Sequence, residues 1–209
     1  MNLFKYALAE QLSAPLPGRE VQFRMAPYRR PKDLNFQYPS DAKQSAVLIS
    51  FYYKEDQPHF ILMKRSEYKG PHSGQICFPG GALESQDASL LDTALRESME
   101  EIGVDPNQVE VLGRLSSLFI PVSYYKVQPY IACLPEQPTY VLDPQEAAAV
   151  IEVPLSELMN DACEDIRPIN HRGEFTLDTP CIELQGHIVW GATAMMIAEL
   201  KAVISQMGV

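Results

Sequence analysis

The stretch from Gly80 to Val104 constrains this chain most. Gly80-Gly81 opens it, and Arg96-Glu97-Ser98-Met99-Glu100-Glu101-Ile102-Gly103 closes it. An α-helix turns by about 100° per residue, so Glu97, Glu100 and Glu101, at i, i+3 and i+4, share a side. Leu91, Leu95, Ser98 and Ile102 fall in a separate arc of the same wheel, one that can bury while the carboxylates are presented. Asp87 or Ser85 is placed to cap the start, and Gly103 suits the left-handed residue that ends a helix. The pattern predicts a helix over 88–102.

Three carboxylates this close repel one another, and some would take up protons at neutral pH unless a cation sits among them. Mg²⁺ or Mn²⁺ meets that need: these ions prefer hard oxygen ligands, and Mg²⁺ leaves positions for water and phosphate oxygens. Glu97, Glu100 and Glu101 are the candidate metal ligands. Gly81 lets the backbone approach closely enough for its carbonyl to join them. Arg96 can orient one carboxylate through a forked hydrogen bond. An isolated Glu-x-x-Glu-Glu is more often a solvated helix face; the glycine pair before it and the helix stop after it weigh against that here.

The surrounding chain supplies one sizeable core. It has 209 residues, 46% of them hydrophobic, which is hardly enough for two domains. Residues 1–44 read as a short helix (3–13) and a proline-rich arm with Arg24, Arg29, Arg30 and Lys32, either solvated or in contact with the site or a second subunit. Residues 45–209 read as the main domain. Strands are expected over 46–53, 59–64, 75–78, 109–115, 127–134, 148–153, 181–184 and 187–190, with helices over 154–160 and 191–205. Strands interleaved with helices predict an α/β class fold, an α/β/α sandwich around a mixed sheet. A net charge of -10 argues against general nucleic-acid binding, and no apolar run is long enough to span a bilayer. Cys77, Cys133, Cys163 and Cys181 are widely spaced and read as free thiols of a cytoplasmic protein.

On Gly81, Arg96, Glu97, Glu100, Glu101, Gly103 and Val104 the chain resembles the Nudix hydrolases. It departs from their signature in three places: Asp87 stands for Glu, eight residues separate it from Arg96 where the family has seven, and Ser98 replaces an apolar residue. The first two departures resemble the coenzyme A pyrophosphatase branch, as do Arg65-Ser66, His72, Gly74-Gln75 and Phe78-Pro79-Gly80-Gly81 upstream, and Val127-Gln128-Pro129 and Trp190-Gly191-Ala192-Thr193-Ala194 downstream. Lys69-Gly70 replaces that branch's Leu-Arg pair.

The resemblance implies a metal-dependent hydrolase that cleaves the pyrophosphate of a nucleoside diphosphate derivative, coenzyme A first, with ADP-ribose or another dinucleotide as the alternative substrate. A catalytically idle nucleotide-binding module on the same fold is the alternative of another class. Glu97 and Glu101 would be the leading metal ligands, with Glu100 assisting. Either Glu97 or Glu146 would be the base, and Arg96 would support them. Arg65, Lys69, His72 and Lys126 are the candidate substrate contacts, with His72 equally readable as a turn residue. The partner is a small nucleotide, and a homodimer is possible.

Overall fold

The computed structural model describes residues 2–27, 37–68, 72–171 and 175–208. Lys69, and Arg29, Arg30 and Lys32 of the basic cluster, lie outside the described residues. In chain order the elements are α1 (Asn2–Ser13), α2 (Arg19–Gln22) running into a 3₁₀ turn (Phe23–Met25), β1 (Lys43–Lys54), β2 (Gln57–Arg65), β3 (Ile76–Cys77), β4 (Gly80–Ala82), α3 (Leu90–Ile102), β5 (Glu110–Arg114), β6 (Leu118–Ile120), β7 (Tyr125–Cys133), β8 (Ala147–Pro154), α4 (Leu155–Leu158), β9 (Glu164–His171), β10 (Phe175–Leu184), β11 (His187–Trp190) and α5 (Gly191–Ser205).

The main sheet runs β3-β2-β1-β7-β5, with β4 also on β1, β6 on β7 and β8 on β2. Only β1 and β7 pair in parallel; the other pairs are antiparallel. Alternate residues of the central strands enter different cores. Ile49, Phe51, Phe60, Leu62, Ile131 and Cys133 pack with Phe4 and Leu8 of α1 and with α5. Ala46, Leu48, Tyr52, Ile61, Met63 and Ala132 pack on the α3 side, with Ala94 and Ile102. Burial on both faces explains why β1 and β2 read as nearly continuous apolar runs. The sheet is mixed and lies between helices, as expected.

A second, three-stranded sheet, β11-β10-β9, joins the α5 side. Strands β4, β6 and β9 and the length of β10 were not expected. The stretch Glu164-Asp165-Ile166-Arg167-Pro168 lacks apolar alternation, and proline normally argues against a strand. It pairs with β10 over its whole length nonetheless, as the outer strand. The arm expected to be irregular holds α2, and its anchor is polar. Glu199 of α5, fully buried, accepts hydrogen bonds from the Gly18 N–H (3.0 Å), Gln22 Nε2 (2.8 Å) and the Ser116 N–H.

Candidate metal and catalytic site

Helix α3 presents its carboxylates against the glycine turn. Ser89 caps it by accepting the Asp92 N–H, in place of the expected Asp87 or Ser85, and Gly103 ends it at φ 78°. The expected separation of carboxylates from the packed arc does not hold. Glu101 is only 1% exposed, beside buried Ala94, Ser98 and Ile102, whereas Leu91 and Leu95 are half-buried. Glu97 and Glu101 thus lie along the packed face of α3, where β4 crosses it.

Two backbone features admit them. The Gly80 N–H donates to Glu101 Oε2 at 2.8 Å. At Gly81 the missing side chain is the reason for the fit: a Cβ there would stand 2.3 Å from Glu97 Cδ and Oε1. The third member, Glu146, comes from the turn before β8. Oxygens of Glu97, Glu101 and Glu146 all lie within 4.8 Å of one another.

The electrostatics of this trio invite a cation. Burial pushes the Glu101 carboxyl up to about 8, against the Gly80 N–H and Arg65, with Glu97 and Glu146 adding repulsion. Arg65 Nη1 reaches Glu101 Oε1 only at 3.4 Å, too far to cancel that burial. Burial also raises Glu97, although Arg96 draws it down. Clustered carboxylate oxygens, one of them fully buried, are the donor set that a hard divalent ion relieves. Glu97 and Glu101, with Glu146 at the open side, are the residues placed to hold one.

Arg96 organises the flank. Its Nε and Nη2 donate to the two oxygens of Asp87 at 2.8 and 2.9 Å. Its Nη1 donates to Glu97 at 3.0 Å and to Glu100 at 2.9 Å. The Arg96 guanidinium holds the Asp87 carboxyl well below the usual range. Glu100, with its side chain 56% exposed, does not join the trio, because one residue of helical rotation turns it outward from Glu101.

The expected substrate contacts are scattered. Arg65 faces Glu101. His72 is an exposed residue at φ 68° whose Nδ1 lies 2.9 Å from Gln75 Oε1. Lys126 stands on β7 beside Gln44, and among the described residues it makes no ion pair with the carboxylates. Ser66 was read only as part of the upstream block, and Thr93 and Asp143 were given no role. Thr93 donates to Asp87, and the other two hold the Glu146 turn. Small polar or acidic residues of this kind are too common in sequence to single out.

The family model for the NUDIX domain matches residues 42–172. The chain belongs to the Nudix family. It is 38% identical over 161 residues to the uncharacterized Nudix hydrolase NudL of Enterobacter sp. (strain 638), covering 76% of this chain and 81% of that one. It is 36% identical over 165 residues to the NudL of Shigella flexneri serotype 5b, covering 78% and 83%. Among solved structures, the fold matches the Nudix hydrolase RenU from M. smegmatis (TM-score 0.54, 16% identity, covering 79% of this chain and 87% of that one). It also matches a MutT/nudix family protein from Enterococcus faecalis (TM-score 0.51, 16% identity, covering 96% and 73%). The protein is a Nudix hydrolase, a pyrophosphohydrolase of a family that uses divalent cations. Among the described residues no helix is long and apolar enough to cross a membrane.

Proposed function

We propose that the protein hydrolyses the pyrophosphate linkage of coenzyme A or acyl-coenzyme A, giving 3′,5′-ADP and (acyl-)4′-phosphopantetheine, with Mg²⁺ or Mn²⁺ held by Glu97 and Glu101. The observation that carries the chemistry is the meeting of the Glu97, Glu101 and Glu146 oxygens within 4.8 Å. A divalent ion in such a site neutralises phosphate oxygens and lowers the pKa of a bound water.

The residues divide the remaining work by their surroundings. Arg96 fixes the Glu97 carboxylate and the Gly80 N–H fixes that of Glu101, so both are pre-set as ligands. The Gly81 carbonyl lies on the same turn and is assigned as a further ligand. Glu146 is exposed, and among the described residues its carboxylate has no hydrogen bond or ion pair. It is therefore free to accept the proton of the attacking water, which favours it over Glu97 as base. Arg96 and the outward Glu100 act as supports, not as reacting groups.

The substrate assignment rests on the branch resemblance of 65–81 and on the longer Asp87-to-Arg96 spacing. At the end of β2 that carries Arg65, an open pocket of about 580 Å³ lined by Lys64, Glu67, Tyr68, Ser73 and Gly74 offers room and a cation for a phosphorylated ligand. The free thiols fit a reducing cytoplasm.

The test is a product analysis. Coenzyme A, ADP-ribose and NADH are incubated at equal concentration with enzyme and Mg²⁺, and products are identified by mass. The reading expects 3′,5′-ADP from coenzyme A with the highest kcat/KM of the three. Faster turnover of ADP-ribose would replace the substrate, and binding of all three without turnover would favour the idle module.

A further inference from the structure

Arg65 was expected to meet substrate, yet its Nη1 and both donors of the neighbouring Ser66 turn toward the protein. Arg65 Nη1 faces Glu101 Oε1. Ser66 grips the turn that carries Glu146 twice: its N–H donates to the Glu146 carbonyl at 2.9 Å, and its hydroxyl donates to the Pro144 carbonyl at 2.9 Å.

The strand register explains how one dipeptide reaches both acids. Along β2 and β8 the pairing runs His59↔Pro154 to Lys64↔Ala149, then jumps to Arg65↔Ala147. Ala148 is left unpaired as a bulge, a device that re-aims a strand next to a site. The bulge returns Ala147 to the core, where it is 2% exposed, and brings Glu146 level with Ser66. From the other side, the Asp143 N–H donates to the Glu101 carbonyl at 3.1 Å, and the Asp143 carbonyl accepts the N–H groups of Glu146 and Ala147. The Glu146 turn is thus tied to α3 at one end and to β2 at the other.

We infer that Arg65-Ser66 is a spacing clamp: Arg65 orients Glu101, Ser66 fixes the Glu146 turn, and their adjacency in the chain sets the distance between the two carboxylates. Both are positioning residues for the hydrolysis, not substrate contacts. The inference rests on the reading of Glu101 as metal ligand and Glu146 as base.

Three variants test it in the full-length enzyme. Ser66→Ala removes the hydroxyl bond while keeping the main-chain bond, so the fold should survive; a melting curve checks this. Its kcat on coenzyme A should fall about tenfold, the scale of one lost positioning hydrogen bond, with KM within about twofold. Ser66→Thr, which retains the hydroxyl, should restore kcat. Arg65→Lys loses the planar fork and should weaken Mn²⁺ binding about tenfold, read by electron paramagnetic resonance without substrate, as loss of an outer-shell support does. A rise in KM with kcat and Mn²⁺ affinity unchanged in Ser66→Ala and Arg65→Lys would overturn the clamp and make the pair a substrate contact. Glu101→Gln and Glu146→Gln keep the two readings apart: wild-type turnover in both would sink the site assignment itself, whereas failure of the clamp alone leaves them inactive.

Discussion

Gly80 and Gly81 stand side by side, yet an alanine at each should fail for different reasons. A Cβ at Gly81 would sit 2.3 Å from Glu97 Cδ and Oε1, the far end of a flexible side chain. Relieving that overlap to ordinary contact needs a shift of roughly 1 Å, which Glu97 can make by changing rotamer; the cost in stability should be under about 1.5 kcal/mol. The carboxylate, however, leaves the trio. Misplacement of a catalytic group by about 1 Å costs on the order of 10²-fold in rate. At Gly80 the same Cβ meets backbone, 2.2 Å from the Ala46 carbonyl oxygen, and φ is already +148°. That conflict is between two strands and has no rotamer to release it, so Gly80→Ala should cost about 3 kcal/mol, the upper end of overpacking penalties. Urea unfolding and coenzyme A turnover, measured on both variants, separate the two effects. Gly81→Ala should show a near-native midpoint with about 1% of wild-type kcat/KM; Gly80→Ala should show a clearly lowered midpoint. Turnover of Gly81→Ala within threefold of wild type would refute the assignment of Glu97 to the reacting centre.

Glu101 supplies a pH-linked prediction. Its folded pKa of about 8 stands above the ordinary 4.5, so the cation-free protein holds this contribution below about pH 4.5 and loses it as pH rises through 8. Binding of Mg²⁺ at pH 7 should accordingly release a proton, seen by calorimetry in buffers of different ionisation enthalpy, and Glu101→Gln should abolish the release. Ser98 carries a buried hydroxyl with no hydrogen-bond partner among the described residues. Ser98→Ala should therefore raise the melting temperature, or leave it unchanged, without loss of activity; a drop of several degrees would reveal a partner. Glu199→Gln places an amide NH₂ among donors from Gly18, Gln22 and Ser116. One donor then faces another, and the change should cost about 1–3 kcal/mol in urea unfolding.

Local rules made much of the site legible. Gly103 at a helix stop, Glu97 and Glu101 one turn apart, and a glycine before them are all features of one segment, and segments are what periodicity reads. Glu146 could be placed only by resemblance, since it lies far along the chain and reaches the trio through the β2–β8 pairing. That Glu100 stands apart from the Glu97, Glu101 and Glu146 oxygens was not legible for a related reason. A helical wheel shows which residues share a side but not where the sheet lies, and β4 meets the side of Glu97 and Glu101. Strand β9 and the first part of β10 were missed because apolar and polar residues mix along them, and two prolines, Pro168 and Pro180, argue against strand in sequence. Glu199 reads as an ordinary helix acid in sequence; its burial depends on a loop and an arm distant in the chain.

Arg96 ties the departures from the family signature to the chemistry. A single guanidinium serves three carboxylates, Asp87 in the loop before α3 and Glu97 and Glu100 in the C-terminal half of the helix. Asp87 takes two of its donors in the bidentate geometry that carboxylate and guanidinium share. Asp87 has no freedom left: its second oxygen also accepts from Thr93 and from the Glu84 N–H. With Arg96 locked at that end, its remaining nitrogen is held between Glu97 and Glu100. Loss of the Asp87 anchor would leave Arg96 tied on its acidic side only to Glu97 and to the exposed i, i+4 partner Glu100, a pair worth little, and the approach of Glu97 to Gly81 would loosen. The longer loop and the shorter acid thus act together: they hold the arginine that holds the carboxylate, and the position of Glu97 depends on a residue ten positions before it as much as on the helix that carries it.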